Sequence, residues 1–149
     1  MNPYPVKLPK NVMGKVHTAL TVINRAAQVR LQDGTIAPNQ VRSLQLSEVL
    51  VDTGATTLCL PPELIAQLGL EVLREVEATT AAGIHRIFQD AKISLCGRES
   101  TFECLELPGG RDPLLGVIPL EMLGLEPDLQ NQTLRVLPEE SVDTYLTIL

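Results

Sequence analysis

The feature that most limits the fold of this chain is a succession of short alternating segments separated by turn residues. Apolar and polar side chains alternate in each segment and β-branched residues are frequent, which is typical of half-buried strands. Strands are predicted at 12–31 (two, divided near Asn24), 41–51, 56–60, 71–95 (two), 101–107 and 133–137. Short helices are predicted at 61–69 and 119–123, because each begins with proline and is ended by glycine. The pattern predicts an all-β chain with two short helices.

The composition of the chain bounds its size and its partners. With 149 residues and a mass of 16.2 kDa it has the size of one domain, and 44% hydrophobic residues can fill a core. The net charge is −6 and lysine and arginine do not cluster, which excludes nucleic acid as the main partner. No stretch approaches the ~20 apolar residues of a membrane span. We therefore expect a cytoplasmic protein without a membrane partner.

The cysteines and histidines do not form the patterns that bind zinc or build a disulfide framework. Cys59, Cys96 and Cys104 include no C-x-x-C pair, and the two histidines lie far apart in the sequence. We expect three reduced thiols that are buried as small hydrophobic side chains, with a Cys96–Cys104 contact across a hairpin as the alternative. No metal or other cofactor is predicted.

The residues best suited to chemistry follow the apolar run 49–51, in the sequence Asp52-Thr53-Gly54-Ala55-Thr56. A carboxylate at the end of a buried strand is costly unless hydrogen-bond donors or a cation receive it. One explanation is structural, since an aspartate in a turn often accepts a hydrogen bond from its own backbone. The other explanation is catalysis. The chain lacks the serine-nucleophile, zinc-protease and phosphate-loop motifs, so Asp52 is the main candidate for a catalytic group.

A second motif repeats the organisation of the first. Leu114-Leu115-Gly116 precedes the second predicted helix, as Asp52-Thr53-Gly54 precedes the first. Both helices are followed by the sequence Leu-Gly-Leu-Glu, at 68–71 and at 123–126. Either the domain consists of two similar half-units, or four identical residues are a coincidence in a leucine-rich chain. Only the first unit carries an acid in its turn.

Together the two motifs resemble the active-site pattern of the retropepsin-like aspartic proteases, the single-lobed, retroviral-type family. That pattern is a hydrophobic residue with Asp-Thr/Ser-Gly, followed later by two apolar residues and a glycine before a short helix. The resemblance covers about residues 12–137 and implies one closed acid-protease-type β-barrel half with an obligate-dimer architecture. Three prolines predict an extended N-terminal arm at 1–11, and alternation predicts a β-prone tail at 139–149. The resemblance implies a protease domain at 12–138 between them and an arm and tail that pair across the dimer as strands.

The resemblance also implies a role for each motif residue. Asp52 of each subunit is expected to meet on the twofold axis and to hydrolyse an extended peptide as a catalytic pair. Thr53 is expected to bond the opposite loop, Gly54 to allow a close backbone approach, and Ala55 and Thr56 to support the acid. The other implied residues are the second motif Leu114, Leu115 and Gly116, which packs behind the acid, and the flap Thr79, Thr80, Ala81, Ala82, Gly83 and Ile84.

Some features depart from the family pattern, and other functions stay open. Val117 stands where viral members carry arginine, so an arginine tie at this point is not expected, and the flap is poor in glycine. The alternative function is a catalytically silent dimer of the same fold that binds or scaffolds a partner. An ATP-binding domain of the actin type is disfavoured by the length of the chain. His85, beside the flap tip, and Cys59 need no catalytic role.

Overall fold

The computed structural model describes residues 15–77 and 83–138, which form nine strands, three α-helices and one short 3-10 helix. The strands are β1 (Val16–Asn24), β2 (Ser43–Val51), β3 (Leu58–Leu60), β4 (Val72–Glu77), β5 (Ile84–Leu95), β6 (Arg98–Glu106), β7 (Leu114–Leu115), β8 (Leu125–Asp128) and β9 (Thr133–Val136). The helices are α1 (Arg25–Gln32), α2 (Pro62–Leu68), α3 (Val117–Leu123) and the 3-10 helix Pro38–Gln40.

Some predicted segments lie outside the described residues, namely the arm 1–11, the tail 139–149 and the flap residues 79–82. Among the helices that are described, none is both long and apolar enough to span a membrane.

Seven of the strands form one sheet in the order β1-β2-β7-β3-β6-β5-β4. The second half of β1 also pairs with β5, so the sheet curves back on itself. Buried side chains from β1, β2, β3, β5, β6, β7, β8, α2 and α3, together with Leu70, form one core, which is aliphatic except for Phe88, Phe102 and Cys104. The strands β8 and β9 form a separate hairpin. The chain is mostly β, as predicted, while the dimeric architecture stays a prediction.

The prediction of a strand at 25–31 is wrong, because these residues form the helix α1. The helix begins where the side-chain oxygen of Asn24 accepts a hydrogen bond of 3.0 Å from the amide of Ala27. The amide nitrogen of the same side chain donates to the carbonyls of Leu68 and Gly69, both at 3.0 Å, at the end of α2. One buried asparagine therefore starts α1 and satisfies the last carbonyls of α2. The described residues hold three α-helices, whereas two helices were predicted.

The helices of the two motif units follow a short strand and end in the same way, although Gly54 comes before β3 whereas Gly116 directly precedes α3. Each unit has a short strand and then a seven-residue helix that ends at a left-handed glycine, Gly69 with φ 66° and Gly124 with φ 65°. The residues after these glycines, Leu70 and Leu125, are both buried. The helix predicted at 119–123 begins earlier, at Val117. The repeat noticed in the sequence therefore has a structural counterpart.

Candidate active site

The strand β7 passes between the two strands that flank the Asp52 loop, residues 52–57. It pairs in parallel with the end of β2 and antiparallel with β3. Leu115, which is fully buried, thus lies opposite Val51 on one side and opposite Leu58 on the other. The loop must bridge the width of an inserted strand, and it holds Asp52 at the edge of the core.

Main-chain hydrogen bonds join the Asp52 loop to the second motif. The amide of Asp52 donates to the carbonyl of Leu115 at 2.9 Å, and the amide of Gly116 donates to the carbonyl of Thr57 at 3.0 Å. The first amides of α3 continue the set, from Val117 to the Ala55 carbonyl and from Ile118 to the Thr56 carbonyl, both at 2.9 Å. Because these bonds use backbone atoms, side-chain motion does not loosen them. The second motif is therefore bonded through its main chain to the Asp52 loop.

The carboxylate of Asp52 is half-buried and only partly satisfied. Its Oδ1 accepts a hydrogen bond of 2.9 Å from the amide of Gly54, which is the bond that a structural turn aspartate makes. Within 15–77 and 83–138, no other group donates to this carboxylate. A Cβ at position 54 would lie 3.1 Å from Oδ1, so glycine leaves room for the acid. The second oxygen is available to a ligand, which a purely structural turn does not require.

A cleft of about 960 Å³ opens over the Asp52 loop. Of the predicted site residues, Asp52, Gly54, Ala55, Thr56 and Leu114 line the cleft. The side chain of Thr53 is exposed and does not line it. Among the flap residues, Gly83 and Ile84 are described and exposed, at the start of β5. Most residues of the first motif therefore line the cleft. The tip of the flap lies outside the described residues.

Two ion pairs join neighbouring strands in the wall of the cleft that β4, β5 and β6 form. Arg74 donates to both carboxylate oxygens of Glu103, at 2.8 and 3.0 Å, and Arg86 donates to both oxygens of Glu106, at 3.0 and 2.6 Å. The hydrogen bonds from Arg74 hold the pKa of Glu103 below its ordinary value, so this carboxylate stays ionised at neutral pH. No group of three or more histidine, cysteine or acidic side chains in the described segments is arranged to hold a metal ion.

An arginine from a different strand supports α3. Arg98, the first residue of β6, donates to the carbonyls of Leu123 at 2.8 Å and Gly124 at 3.1 Å, and also to the carbonyl of Leu137. A guanidinium at the C-terminal end of a helix satisfies its last carbonyls and interacts favourably with its dipole. Since the first turn of α3 is bonded to the Asp52 loop, Arg98 helps to hold the element against which that loop rests.

Two cleft residues were not predicted as part of the site. The hydroxyl of Thr57 donates to the carbonyl of Glu103 at 2.7 Å and ties the Asp52 loop to β6. His85 is buried on β5 and lines the same cleft as Asp52. A signal in the sequence could have predicted this position. His85 lies two residues before the apolar Ile87, so alternation along a strand puts both side chains on the same face.

The three cysteines have no disulfide partner within the described residues: Cys59 and Cys104 are buried and Cys96 is exposed at a hairpin turn. Burial, followed by the nearby charge of Asp52, raises the pKa of the Cys59 thiol to about 11. Burial likewise raises the pKa of Cys104. The prediction of small buried thiols is therefore confirmed for Cys59 and Cys104 and wrong for Cys96.

We expect one thiol of the folded protein to react with iodoacetamide at pH 8, and that thiol to be Cys96. At this pH a thiol of pKa about 11 is only about one thousandth thiolate, and the thiolate is the nucleophile. Labelling of Cys59 should increase as the pH approaches 11, since its neutral form dominates below that value. Peptide mapping by mass spectrometry measures this, with Cys96→Ser as the control. Equal labelling of all three thiols at pH 8 would contradict the prediction.

Comparison with known proteins found structural similarities only. No protein-family model and no curated protein matches the chain. The retroviral protease-like domain of Ddi1 from Leishmania major is 15% identical over 81% of this chain and 88% of that one, with a TM-score of 0.49. EIAV protease, complexed with the inhibitor HBY-793, is 21% identical over 78% of this chain and 95% of its own, with a TM-score of 0.44. A retropepsin-like aspartic protease from Rickettsia conorii is 18% identical over 78% and 86%, with a TM-score of 0.45.

All three neighbours are retropepsin-like proteases, the family that the sequence motifs resemble. Since every TM-score is below 0.5, the function has to be inferred from the residues of this chain.

Proposed function

We propose that this protein is an aspartic endopeptidase that works as a homodimer and hydrolyses peptide bonds. The observation that carries the proposal is the state of Asp52 at the floor of the cleft. One carboxylate oxygen is held by the amide of Gly54, and the other has no donor among the described residues. The loop beneath it is bonded through the backbone to the second motif. A carboxylate fixed in this way and open to a cleft can act on a bound ligand.

Peptide hydrolysis by carboxylates uses two of them in different protonation states. The ionised carboxylate accepts a proton from a water molecule as that water attacks the peptide carbonyl carbon, and the protonated one donates to the carbonyl oxygen. Two carboxyl groups about 3 Å apart cannot both be ionised, so they share one proton and titrate as a pair. Asp52 therefore needs a second carboxyl group close to it.

The proposed source of the second carboxyl group is Asp52 of another copy of the chain. Three other acids line the same cleft: Glu103 and Glu106 are each bound through both oxygens by an arginine, and Glu77 ends β4, the strand that leads to the flap. A carboxylate whose two oxygens both accept hydrogen bonds from a guanidinium is poorly placed to donate a proton to a peptide. A symmetric dimer supplies an identical loop instead, with the same surface used by both subunits. The exposed hydroxyl of Thr53 is free to contact that opposite loop.

The proposed substrate is an extended peptide that lies in the cleft as an additional strand. Backbone hydrogen bonds would hold it and alternate side chains would enter pockets. Aliphatic residues, among them Ile87, Leu105 and Ile118, supply much of the cleft wall and favour apolar side chains near the scissile bond. The flap, residues 79–84, is proposed to close over the peptide and exclude water.

The dimer model predicts that activity per chain rises with protein concentration and then reaches a plateau. Monomers hold half of the carboxylate pair, so dilution below the dissociation constant removes the site. The measurement is the rate of cleavage of a peptide mixture over a dilution series, alongside the molecular mass in solution. A statine-type transition-state mimic should abolish cleavage and bind once per two chains. A strictly monomeric protein with constant activity per chain would contradict the proposal.

A further inference from the structure

His85 is a buried titratable side chain that the proposed mechanism does not use. Its exposed fraction is 9%, and it lies near the start of β5 opposite Val76 of β4. It lines the cleft over Asp52 together with Val76 and Ile87. A histidine in the wall of a ligand-sized cleft is in a position to contact what binds there.

The hydrogen bond of His85 determines what its other nitrogen can do. Nδ1 lies 3.2 Å from the carbonyl oxygen of Glu106, and a carbonyl can only accept, so Nδ1 carries the hydrogen. In the neutral ring Nε2 is then an acceptor without a hydrogen. Nε2 is buried and has no hydrogen-bond partner, and no group in 15–77 or 83–138 donates to it. Buried polar atoms of this kind are rare in native proteins and usually have a function or an absent partner.

The cleft residues on the strands around His85 include several apolar side chains, and their charges largely cancel. Val76, Ile87 and Leu105 are neighbours of His85 on the paired strands β4, β5 and β6, and all three line the cleft. The charged cleft residues nearby are Arg74 and Glu103, which neutralise each other, and Glu106, which is paired with Arg86. Glu77 at the end of β4 and Arg111 in the loop before β7 carry opposite charges. A charged substrate side chain therefore finds no net counter-charge on this wall.

We propose that His85 sets the specificity of one substrate subsite by accepting a hydrogen bond at Nε2. The side chain it selects is neutral and carries an O–H or N–H donor, as in Thr, Ser, Asn or Gln. A subsite built to pair with a donor discriminates strongly against an isostere that lacks it, because the site's own buried polar atom is then left unpaired. This inference rests on the proposed function, since it takes the occupant of the cleft to be a peptide.

The test compares peptides that differ only in the presence of the donor. A peptide cleaved by the wild-type dimer is resynthesised with Thr or Val, which have nearly the same shape, at each position flanking the scissile bond in turn. At one position we expect kcat/KM to favour Thr over Val about tenfold. Equal rates for Thr and Val at every position, or a preference for Val throughout, would overturn the inference.

Two substitutions separate recognition from a structural role of the imidazole. His85→Asn places an amide nitrogen near the position of Nδ1, where it can still donate to Glu106, but has no atom at Nε2. His85→Gln places its amide near Nε2 and loses the bond to Glu106. We expect His85→Asn to abolish the Thr preference and His85→Gln to keep most of it. If both variants lower the Thr and Val rates equally, the role of His85 is structural and the inference is wrong.

The inference and the proposed function can fail separately. Peptides of the mixture that bind the protein are also resynthesised as Thr and Val pairs, and their binding to the wild-type protein and to the His85→Asn variant is measured by fluorescence anisotropy, which requires no turnover. Binding with a His85-dependent Thr preference but without cleavage would overturn the protease proposal and support the recognition site. Cleavage that Asp52 controls, without any Thr preference, would support the protease proposal and overturn the inference about His85.

Discussion

Replacing Asp52 by asparagine is expected to lower kcat for peptide cleavage by about 10²- to 10⁴-fold, the contribution typical of a positioned general acid and base. Asparagine has the same shape, and its side-chain oxygen can still accept the hydrogen bond that the Gly54 amide gives to Oδ1. It cannot ionise, so it can neither take a proton from water nor share one with a second carboxyl group. Fold and self-association should therefore be retained while turnover is lost. Kinetics and the solution mass of the variant measure both.

Mixing the Asp52→Asn protein with wild type tests whether two chains share one site. After subunit exchange, a ninefold excess of variant leaves about one wild-type chain in ten paired with another wild-type chain, so activity per wild-type chain should fall about tenfold. If Asp52 works alone in each subunit, the mixture keeps the full wild-type rate, and the shared site is disproved. Asp33→Asn is the matched control, because Asp33 is an exposed aspartate at the end of α1. An excess of that variant should leave the activity unchanged.

Replacing Gly116 by alanine is expected to destabilise the protein by about 3 kcal/mol and to lower Tm by roughly 10 °C. A Cβ at position 116 would lie 2.6 Å from the carbonyl oxygen of Ala55 and from both the amide nitrogen and the carbonyl oxygen of Thr57. All three are backbone atoms of the Asp52 loop, so no side-chain rotation relieves the contact. The loop or the start of α3 must move, which breaks hydrogen bonds that position Asp52.

Gly109→Ala is the matched control for the Gly116 substitution. Its Cβ would meet only the flexible carboxylate end of Glu63, at 3.4 Å, so we expect a change in stability below about 0.5 kcal/mol. Thermal and urea unfolding of both variants provide the comparison. If Gly116→Ala changes the free energy of unfolding as little as the control does, the second motif is not packed tightly against the Asp52 loop and this prediction is wrong. A loss of activity larger than the unfolded fraction explains would show that the loop has shifted.

Much of the site was predictable because its signals are local in the sequence. An apolar run followed by Asp-Thr-Gly, and a second run followed by glycine and a proline-containing helix, each lie within about ten residues of chain. The ends of α2 and α3 were similarly marked, since a glycine in the left-handed conformation ends both helices. The hairpin β4–β5 followed from alternation on both sides of a small-residue tip.

What could not be predicted depends on contacts between distant residues. The wrong prediction of a strand at 25–31 is not such a case, because Asn24 is a favourable N-cap residue and the Ala, Gln, Arg and Leu residues that follow it favour helix. Only the hydrogen bonds from Asn24 to the carbonyls of Leu68 and Gly69 are long-range. The three cysteines look alike in the sequence, and only the fold buries two of them and exposes Cys96. Burial depends on the side chains that folding brings around a residue, which its local sequence does not specify.

The sequence by itself determined which residues could perform chemistry. It contains one Asp-Thr-Gly motif with Asp52, a second apolar motif that ends in glycine, and few other side chains in a catalytic pattern. It also determined the alternation that makes the chain mostly β. Only the tertiary structure decided that β7 is threaded beside the acid, that Gly116 has no room for a side chain, and that Nε2 of His85 is buried in the same cleft. The physical reason is that residue types and short-range periodicity are written along the chain, whereas burial and hydrogen-bond satisfaction are properties of atoms that folding brings together.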